Sequence, residues 1–331
     1  MAMRGLFVLN PDAYDVIYGP DERSDIASLV EIVAPAQTAQ SVRDHPTILA
    51  NVDVILSGWG MAVLDEALLQ AAPNLKAVFY GAGSIRYFVT DALWERGIVV
   101  TTAAHANAVP VAEFTVAAIV MSLKQVWRFS RVVRETRQFV ARTSIPGMYG
   151  STVGLIGLGV IGRMVAERLR SYDVHLLAHD PYAAANVGAA LGVELCALDD
   201  LFVRCDVVSL HAPWLPQTEG MITGAHLAAM KQYATFINTA RGALVRETEM
   251  IDVLQRRPDL YAVLDVTYPE PPASDSPLYS LPNVVLTPHI AGSVGAECRR
   301  MGRAMVDELG RFVRGEPLQW SVTQAQAALM A

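Results

Sequence analysis

Short runs of β-branched and other apolar residues alternate along the chain with stretches whose apolar positions recur at helical spacing, the pattern of parallel α/β structure. In the first third, Gly5–Leu9, Leu29–Val33, Asp53–Leu56, Ala77–Tyr80 and Ile98–Thr101 predict strands. Helical segments lie between them, such as Leu64–Ala71, closed by Pro73. These suffice for one small open sheet with helices on its faces. From Ala108 to Phe139 the chain reads as one long helical region without glycine, with Val111, Phe114, Ile119, Leu123 and Val126 near helical spacing. The turn-rich stretch Thr143–Gly150 ends it. A second series begins at Ser151, with six strands at Thr152–Ile156, Val174–Ala178, Val207–Leu210, Thr235–Asn238, Ala262–Leu264 and Val284–Leu286. Beyond Gly295 a final helix runs to about Arg314, where Gly315, Glu316 and Pro317 stop it, and the tail Thr323–Ala331 reads as a short helix or a frayed end.

Composition narrows the class. A chain of 331 residues has room for two domains, and 52% hydrophobic with 18% charged residues is the balance of a protein with a large core. A net charge of −7 leaves no basic excess for phosphate backbones, and Arg128, Arg131 and Arg134 read as a solvated helical face. The three cysteines, Cys196, Cys205 and Cys298, form no CxxC pair and read as small buried groups in a reducing compartment. The start, MAMRGLFVLNPD, has no signal-peptide core or cleavage site, and the apolar stretch Phe114–Leu123 falls short of a membrane span. The expected location is the cytoplasm.

The run GLIGLGVIG from Gly154 to Gly162 is a strand passing into GxGxxG. Gly157 permits the tight turn, Gly159 lets backbone approach a pyrophosphate, and Gly162 allows close helix–strand packing. The helix expected over Arg163–Arg170 aims its N-terminal amides at the phosphates. Asp180 ends the next strand, 18 residues beyond Gly162, where its carboxylate can accept from ribose hydroxyls and repel a 2′-phosphate. A lone GxGxxG is a weak signal; strand, helix and acidic residue in order make it a specific one. NAD is the expected cofactor, through Gly157, Gly159, Val160, Ile161, Gly162 and Asp180.

Hydride chemistry on a ketone needs a proton donor at the carbonyl oxygen and a cation for an adjoining carboxylate. Three residues just beyond strands of the second series suit these tasks. Arg241 follows the buried strand Phe236–Asn238 and can grip a carboxylate bidentately. Glu270 sits in a proline-framed loop, and His289 follows Val284–Leu286. Each alone has an ordinary structural reading: a capping arginine, a solvated glutamate, a satisfied histidine. Together they form a set, in which the glutamate would favour the protonated imidazole and fix its orientation. His211 ends another strand and is expected to shape a cofactor cleft, while His179 adjoins Asp180; His45, His105, His175 and His226 show no supporting pattern. No spacing resembles a metal site, and no GxSxG elbow is present.

These residues resemble the D-isomer-specific 2-hydroxyacid dehydrogenase family over most of the chain. The likeness is carried by GLIGLGVIG, by NTARGALV from Asn238 to Val245, by LDVTYPEP from Leu264 to Pro271, and by LTPHIAG from Leu286 to Gly292. Val111-Ala112-Glu113 also resembles the family's crossover helix. The resemblance implies two doubly wound parallel-sheet domains, Rossmann-like and flavodoxin-like, with a cleft between them. It implies a discontinuous substrate domain (residues 1–104 with 294–331) and an NAD-binding domain (105–293) that includes the crossover helix. Asp265, Ala240, His211, Pro213, Thr218 and Gly292 are implied to lie along the cofactor with Arg241 and His289. The loop Tyr80–Ser84 resembles the one whose amides, at Ala82 and Gly83, hold the substrate carboxylate. The family likeness also implies a homodimer built on the helical region after Ala108.

Departures bear on the substrate. Arg86 replaces a polar uncharged residue, Ser57–Gly60 with Trp59 is unusual, and Arg246 replaces an acidic or apolar one. Arg86 could meet a second acidic group on the substrate or a structural ion pair. Formate-oxidising relatives carry glutamine at the place of Glu270. Phosphite-oxidising relatives share the Arg/Glu/His set, phosphoglycerate-oxidising relatives often carry an additional regulatory domain, and corepressor relatives bind NADH as scaffolds. The expected function is hydride transfer between nicotinamide and a small D-2-hydroxy or 2-keto acid.

Overall fold

The computed structural model describes residues 2–330. It divides into two compact units, one made of the described residues of Met1–Asn107 and Ser293–Ala331, the other of Ala108–Gly292. Met1 and Ala331, the outermost residues of the expected substrate domain and tail, lie outside the described residues.

The first unit opens with strands β1 (Arg4–Val8), β2 (Glu31–Ile32), β3 (Val54–Ser57), β4 (Ala77–Tyr80) and β5 (Val99–Thr102). The second holds β6 (Thr152–Ile156), β7 (His175–His179), β8 (Glu194–Leu195), β9 (Val207–Leu210), β10 (Thr235–Asn238), β11 (Tyr261–Leu264) and β12 (Val284–Leu286); β13 (Ser321–Val322) returns to the first. The sheet orders are β13-β5-β4-β3-β1-β2 and β12-β11-β10-β9-β6-β7-β8. All pairs are parallel except β13 with β5. Strands β3, β4, β9, β10 and β11 are buried throughout, as central strands covered on both faces must be.

The long helix Cys298–Arg314 belongs to the first unit. Its apolar face (Met301, Met305, Leu309) joins the core with Phe7, Leu56 and Phe79. A β-carbon at Gly302 would stand 2.0 Å from the Ile17 carbonyl oxygen, so this helix lies hard against Pro11–Ile17. The buried Glu308 carboxylate accepts from the amides of Gln319 (3.0 Å) and Trp320 (2.9 Å), turning the chain back into β13.

Several expected elements are redrawn. Leu29 ends the helix Pro20–Leu29, which shortens the second strand to two residues. The strand expected at Val174–Ala178 is displaced by one residue, and the second sheet has seven strands because the short β8 adds an edge. The single helix expected over Ala108–Phe139 is two, Ala104–Leu123 and Val126–Thr136. The break is tertiary in origin: Gln125 takes the left-handed conformation (φ 51°) while its side-chain Nε2 donates to Ser144 O, and Gly147 N–H donates to Leu123 O. The loop 144–147 thus takes up the Leu123 carbonyl that a continuous helix would use and anchors the Gln125 side chain. At the other end Thr102 Oγ1 accepts from Ala104 N–H, and the helix continues through Pro110. With 20 residues it is long and apolar enough, by length and composition, to cross a membrane, whereas its sequence suggested a shorter apolar stretch. Its buried positions Ala112, Val116, Ile119 and Leu123 pack into the second unit's core.

Candidate active site

In the second sheet β6 lies between β7 and β9, so successive connections leave it in opposite directions. Ligands of doubly wound sheets bind beyond the strand ends at such a reversal. Gly157 follows β6 with φ 94°, a conformation that favours glycine. A β-carbon at Gly162 would come within 2.0 Å of the Gly157 carbonyl oxygen, so the helix is clamped against the loop. Gly159 is exposed with open space where its side chain would be. The helix begins at Val160 rather than Arg163, with Gly159 as its N-cap. Val160 is half-exposed and Ile161 partly so. An open glycine at a helix N-terminus is a fit for a pyrophosphate.

Asp180 lies just beyond β7. Its Oδ2 accepts from Leu158 N–H at 2.7 Å and its Oδ1 from Tyr182 N–H at 2.8 Å. The carboxylate therefore also braces the glycine loop, a role that residue spacing does not reveal. His211 is buried beyond β9, with Nε2 3.0 Å from Ser209 Oγ, and burial pulls its pKa down to about 4. The imidazole is accordingly neutral at pH 7. Thr218 Oγ1 donates to Pro213 O at 2.6 Å and accepts from Leu215 N–H at 2.9 Å, closing that loop on itself.

Beyond β10, the Asn238 side chain holds the turn, accepting from Ala240 N–H and donating to Arg241 O, both at 3.0 Å. The Arg241 guanidinium is half-buried and donates to Ala240 O at 2.6 Å. Burial lowers its pKa and the Glu270 charge works against that shift. Glu270 follows β11 in a loop with cis bonds at Tyr268-Pro269 and Glu270-Pro271. Tyr268 N–H donates to Glu247 at 3.2 Å, and burial holds the Glu247 carboxyl above the usual carboxylate range. Beyond β12, His289 Nδ1 lies 2.6 Å from Glu270 Oε1, with both side chains about half exposed (48% and 43%). The structure thus brings His289 and Glu270 into contact and leaves imidazole Nε2 for another partner. His289 itself has φ 55°.

Asp265, implied to lie along the cofactor, is 1% exposed and accepts from Thr287, Ile290 and Ala291. Gly292 is partly buried at the end of the same segment. In the first unit Thr102 Oγ1 lies 2.8 and 2.7 Å from the carbonyls of Ala82 and Gly83. Trp59 is 39% exposed; its carbonyl accepts from Asn10 N–H at 2.8 Å. Tyr87 Oη accepts from Met61 N–H at 3.1 Å, and Arg86 is exposed. Arg246 ties Gly220 O to Glu249 on the surface. His226 pairs with Asp199 at 2.9 Å and stacks on Phe202. Sequence reasoning missed Gly242 and Glu247 as supports of the site. A glycine directly after a strand-end arginine was the available signal.

The model of the D-isomer specific 2-hydroxyacid dehydrogenase NAD binding domain matches residues 116–291. The chain is 35% identical over 255 residues to D-3-phosphoglycerate dehydrogenase of Mycobacterium leprae, an alignment covering 76% of this chain and 48% of that protein. It is 34% identical over 258 residues to glyoxylate reductase of Korarchaeum cryptofilum, covering 76% and 77%. The solved D-lactate dehydrogenase of Aquifex aeolicus, complexed with NAD and lactic acid, is similar with a TM-score of 0.71 and 26% identity, covering 94% of this chain and 96% of that one. The chain belongs to the D-isomer-specific 2-hydroxyacid dehydrogenase family of NAD-using oxidoreductases. It carries that family's NAD-binding domain, and its cofactor is NAD. It spans about half the length of the phosphoglycerate dehydrogenases it matches, 48% of the M. leprae protein.

Proposed function

We propose that this protein interconverts a small D-2-hydroxy acid and its 2-keto acid, with His289 as proton donor and acceptor. The observation that carries the reading is the 2.6 Å contact of His289 Nδ1 with Glu270, in the same unit as a glycine loop open to a pyrophosphate. When bound, the cofactor would supply the hydride as NADH or accept it as NAD+. Glu270 orients the imidazole and stabilises the charge it carries when protonated, so that Nε2–H can give its proton to the carbonyl oxygen and recover it in the reverse direction. Arg241 draws the substrate carboxylate to a semi-buried guanidinium, where a charge-assisted pair gains strength from exclusion of water, and polarises the keto oxygen. Neutral His211 contributes shape without a competing positive charge.

The test is NADH oxidation with glyoxylate, hydroxypyruvate, pyruvate, bulkier 2-keto acids and 3-phosphohydroxypyruvate, with NAD reduction by phosphite run beside them. Turnover with unphosphorylated keto acids supports the reading. Activity confined to the phosphorylated acid or to phosphite reassigns the substrate. NADH binding without turnover across the whole panel contradicts the enzymatic role and favours a scaffold.

We further infer a homodimer. The helix Val126–Thr136 is amphipathic yet has no buried residue, and Phe139 (96%) and Tyr149 (86%) are exposed nearby. Apolar surface of that kind suits a second copy of the chain. The cytoplasm is the proposed location, supported by three unpaired cysteines, Cys196, Cys205 and Cys298.

A further inference from the structure

We propose that Tyr87 is a positioning residue for substrate selection: its hydroxyl closes the turn Gly58–Met61, so that Trp59 stands as a fixed wall for the side chain of the keto acid. This rests on the reading of the protein as an enzyme of 2-keto acids whose substrate carboxylate meets the segment of Ala82 and Gly83.

Two neighbouring strands set the frame. β3 and β4 run parallel with Ser57 opposite Tyr80, so the segments that follow them leave the same end of the first sheet side by side. Ligands of such sheets lie beyond those strand ends. The segment after β4 holds Ala82 and Gly83. The segment after β3 is the turn Gly58–Met61, closed by Met61 N–H on Gly58 O at 3.3 Å. Gly60 has φ 88°, and a β-carbon there would strike the Asn10 side chain. The turn is therefore packed against the segment after β1, where Asn10 N–H donates to Trp59 O at 2.8 Å.

Tyr87 grips the same turn from the segment after β4. Its Oη accepts from Met61 N–H at 3.1 Å and donates to Gly58 O at 3.3 Å, so one hydroxyl engages both ends of the turn. With that proton committed, the 3.1 Å contact between the Tyr80 and Tyr87 hydroxyls has Tyr80 as its donor. Burial pushes both phenols above their ordinary value, and both keep their protons at neutral pH. Tyr80 ends β4 and is 1% exposed, and Phe88, next in the chain to Tyr87, is fully buried. Tyr87 thus ties the turn of Trp59 to the strand from which the Ala82–Gly83 segment issues. Trp59 and Tyr87 themselves remain exposed to a ligand. A 2-keto acid carries its carboxylate and its side chain on the two flanks of the reacting carbonyl. The spacing between the two segments therefore decides which side chains fit, and the Tyr87 hydroxyl keeps that spacing constant.

The experiment uses the full chain and compares Tyr87→Phe with wild type on glyoxylate, pyruvate and phenylpyruvate, which carry hydrogen, methyl and benzyl beside the carbonyl. Phenylalanine keeps the ring and removes the hydroxyl alone. Wild type is expected to separate pyruvate from phenylpyruvate by at least about 10-fold in kcat/KM, the scale on which an apolar wall discriminates. In Tyr87→Phe that ratio should move toward unity by roughly 10-fold, because a turn free to shift accepts more shapes. The kcat/KM for glyoxylate, which has no side chain to meet the wall, is expected to be unchanged. A hydroxyl that only stabilised the fold would instead lower all three acids together. Trp59→Ala should collapse the same ratio, and adding Tyr87→Phe to it should shift the ratio no further, since the wall is already gone. Should Tyr87→Phe fail to fold, Tyr80→Phe removes the donor onto Tyr87 and should move the ratio in the same direction by a smaller factor. An unchanged ratio, an equal loss on glyoxylate, a wild type that treats the two larger acids alike, or a further shift in the Trp59→Ala background overturns the proposal. If wild type turns over none of the three acids, the keto-acid reading falls and this proposal falls with it. If wild type discriminates and Tyr87→Phe discriminates equally, only this proposal falls.

Discussion

A β-carbon on Gly242 would stand 2.0 Å from the carbonyl carbon of Thr267, so the loop after β10 rests directly on the loop after β11. Those two loops bear Arg241 and Glu270, and the Glu270 charge acts on the Arg241 guanidinium. Gly242→Ala must push the loops apart, at a stability cost of about 1–3 kcal/mol for overpacking. We expect it to lower kcat with a 2-keto acid by roughly 100-fold, as displaced reacting groups do, while NADH binding measured by fluorescence is retained.

Asp180 engages the glycine loop through Leu158 N–H as well as standing where a ribose would be read. Asp180→Ala is therefore expected to do two things: relax the preference for NAD over NADP and weaken NAD binding itself. The ratio of kcat/KM for the two cofactors checks the first and the NAD Kd checks the second. Unchanged selectivity would remove Asp180 from cofactor discrimination.

His211 gives a pH dependence with a defined sign. Burial lowers its pKa from the ordinary histidine value of 6.5 to about 4 in the folded chain. Between those values the unfolded chain binds a proton that the folded chain refuses, so stability falls as pH drops from 6.5 toward 4 and is unaffected above it. The full effect is about 3 kcal/mol. Thermal unfolding of His211→Gln against wild type should show a shallower decline of Tm across that window.

Much of this was legible in the sequence, and the reasons differ by element. Central strands announce themselves because burial on both faces demands unbroken apolar runs: Ala77–Tyr80, Thr152–Ile156, Val207–Leu210 and Thr235–Asn238 have the expected bounds. The two-residue edges β8 and β13 carry no such run, and β13 owes its place to the distant Glu308 carboxylate. The helix break at Gln125 has no glycine or proline to mark it, since the loop 144–147 creates it. At the site, residue type and strand-end position singled out Arg241, Glu270 and His289. The supports did not show, because the bonds of Asp265 to Thr287 and of Tyr268 to Glu247 depend on how loops fold back.

The amphipathic helix Val126–Thr136 predicts an oligomer that surface charge should disrupt. Phe129→Glu combined with Phe139→Glu is expected to halve the mass measured by light scattering, from twice the chain mass to once. A wild-type protein already of single-chain mass would contradict the homodimer.

The central claim is that His289 moves the proton, and a single turnover tests it most directly. NADH-loaded His289→Gln, mixed with saturating keto acid in a stopped-flow instrument, should oxidise its NADH roughly 1,000-fold more slowly than wild type, within the range general acid catalysis supplies. NADH affinity should be unchanged. Oxidation within about 10-fold of the wild-type rate, well short of that contribution, would contradict the account.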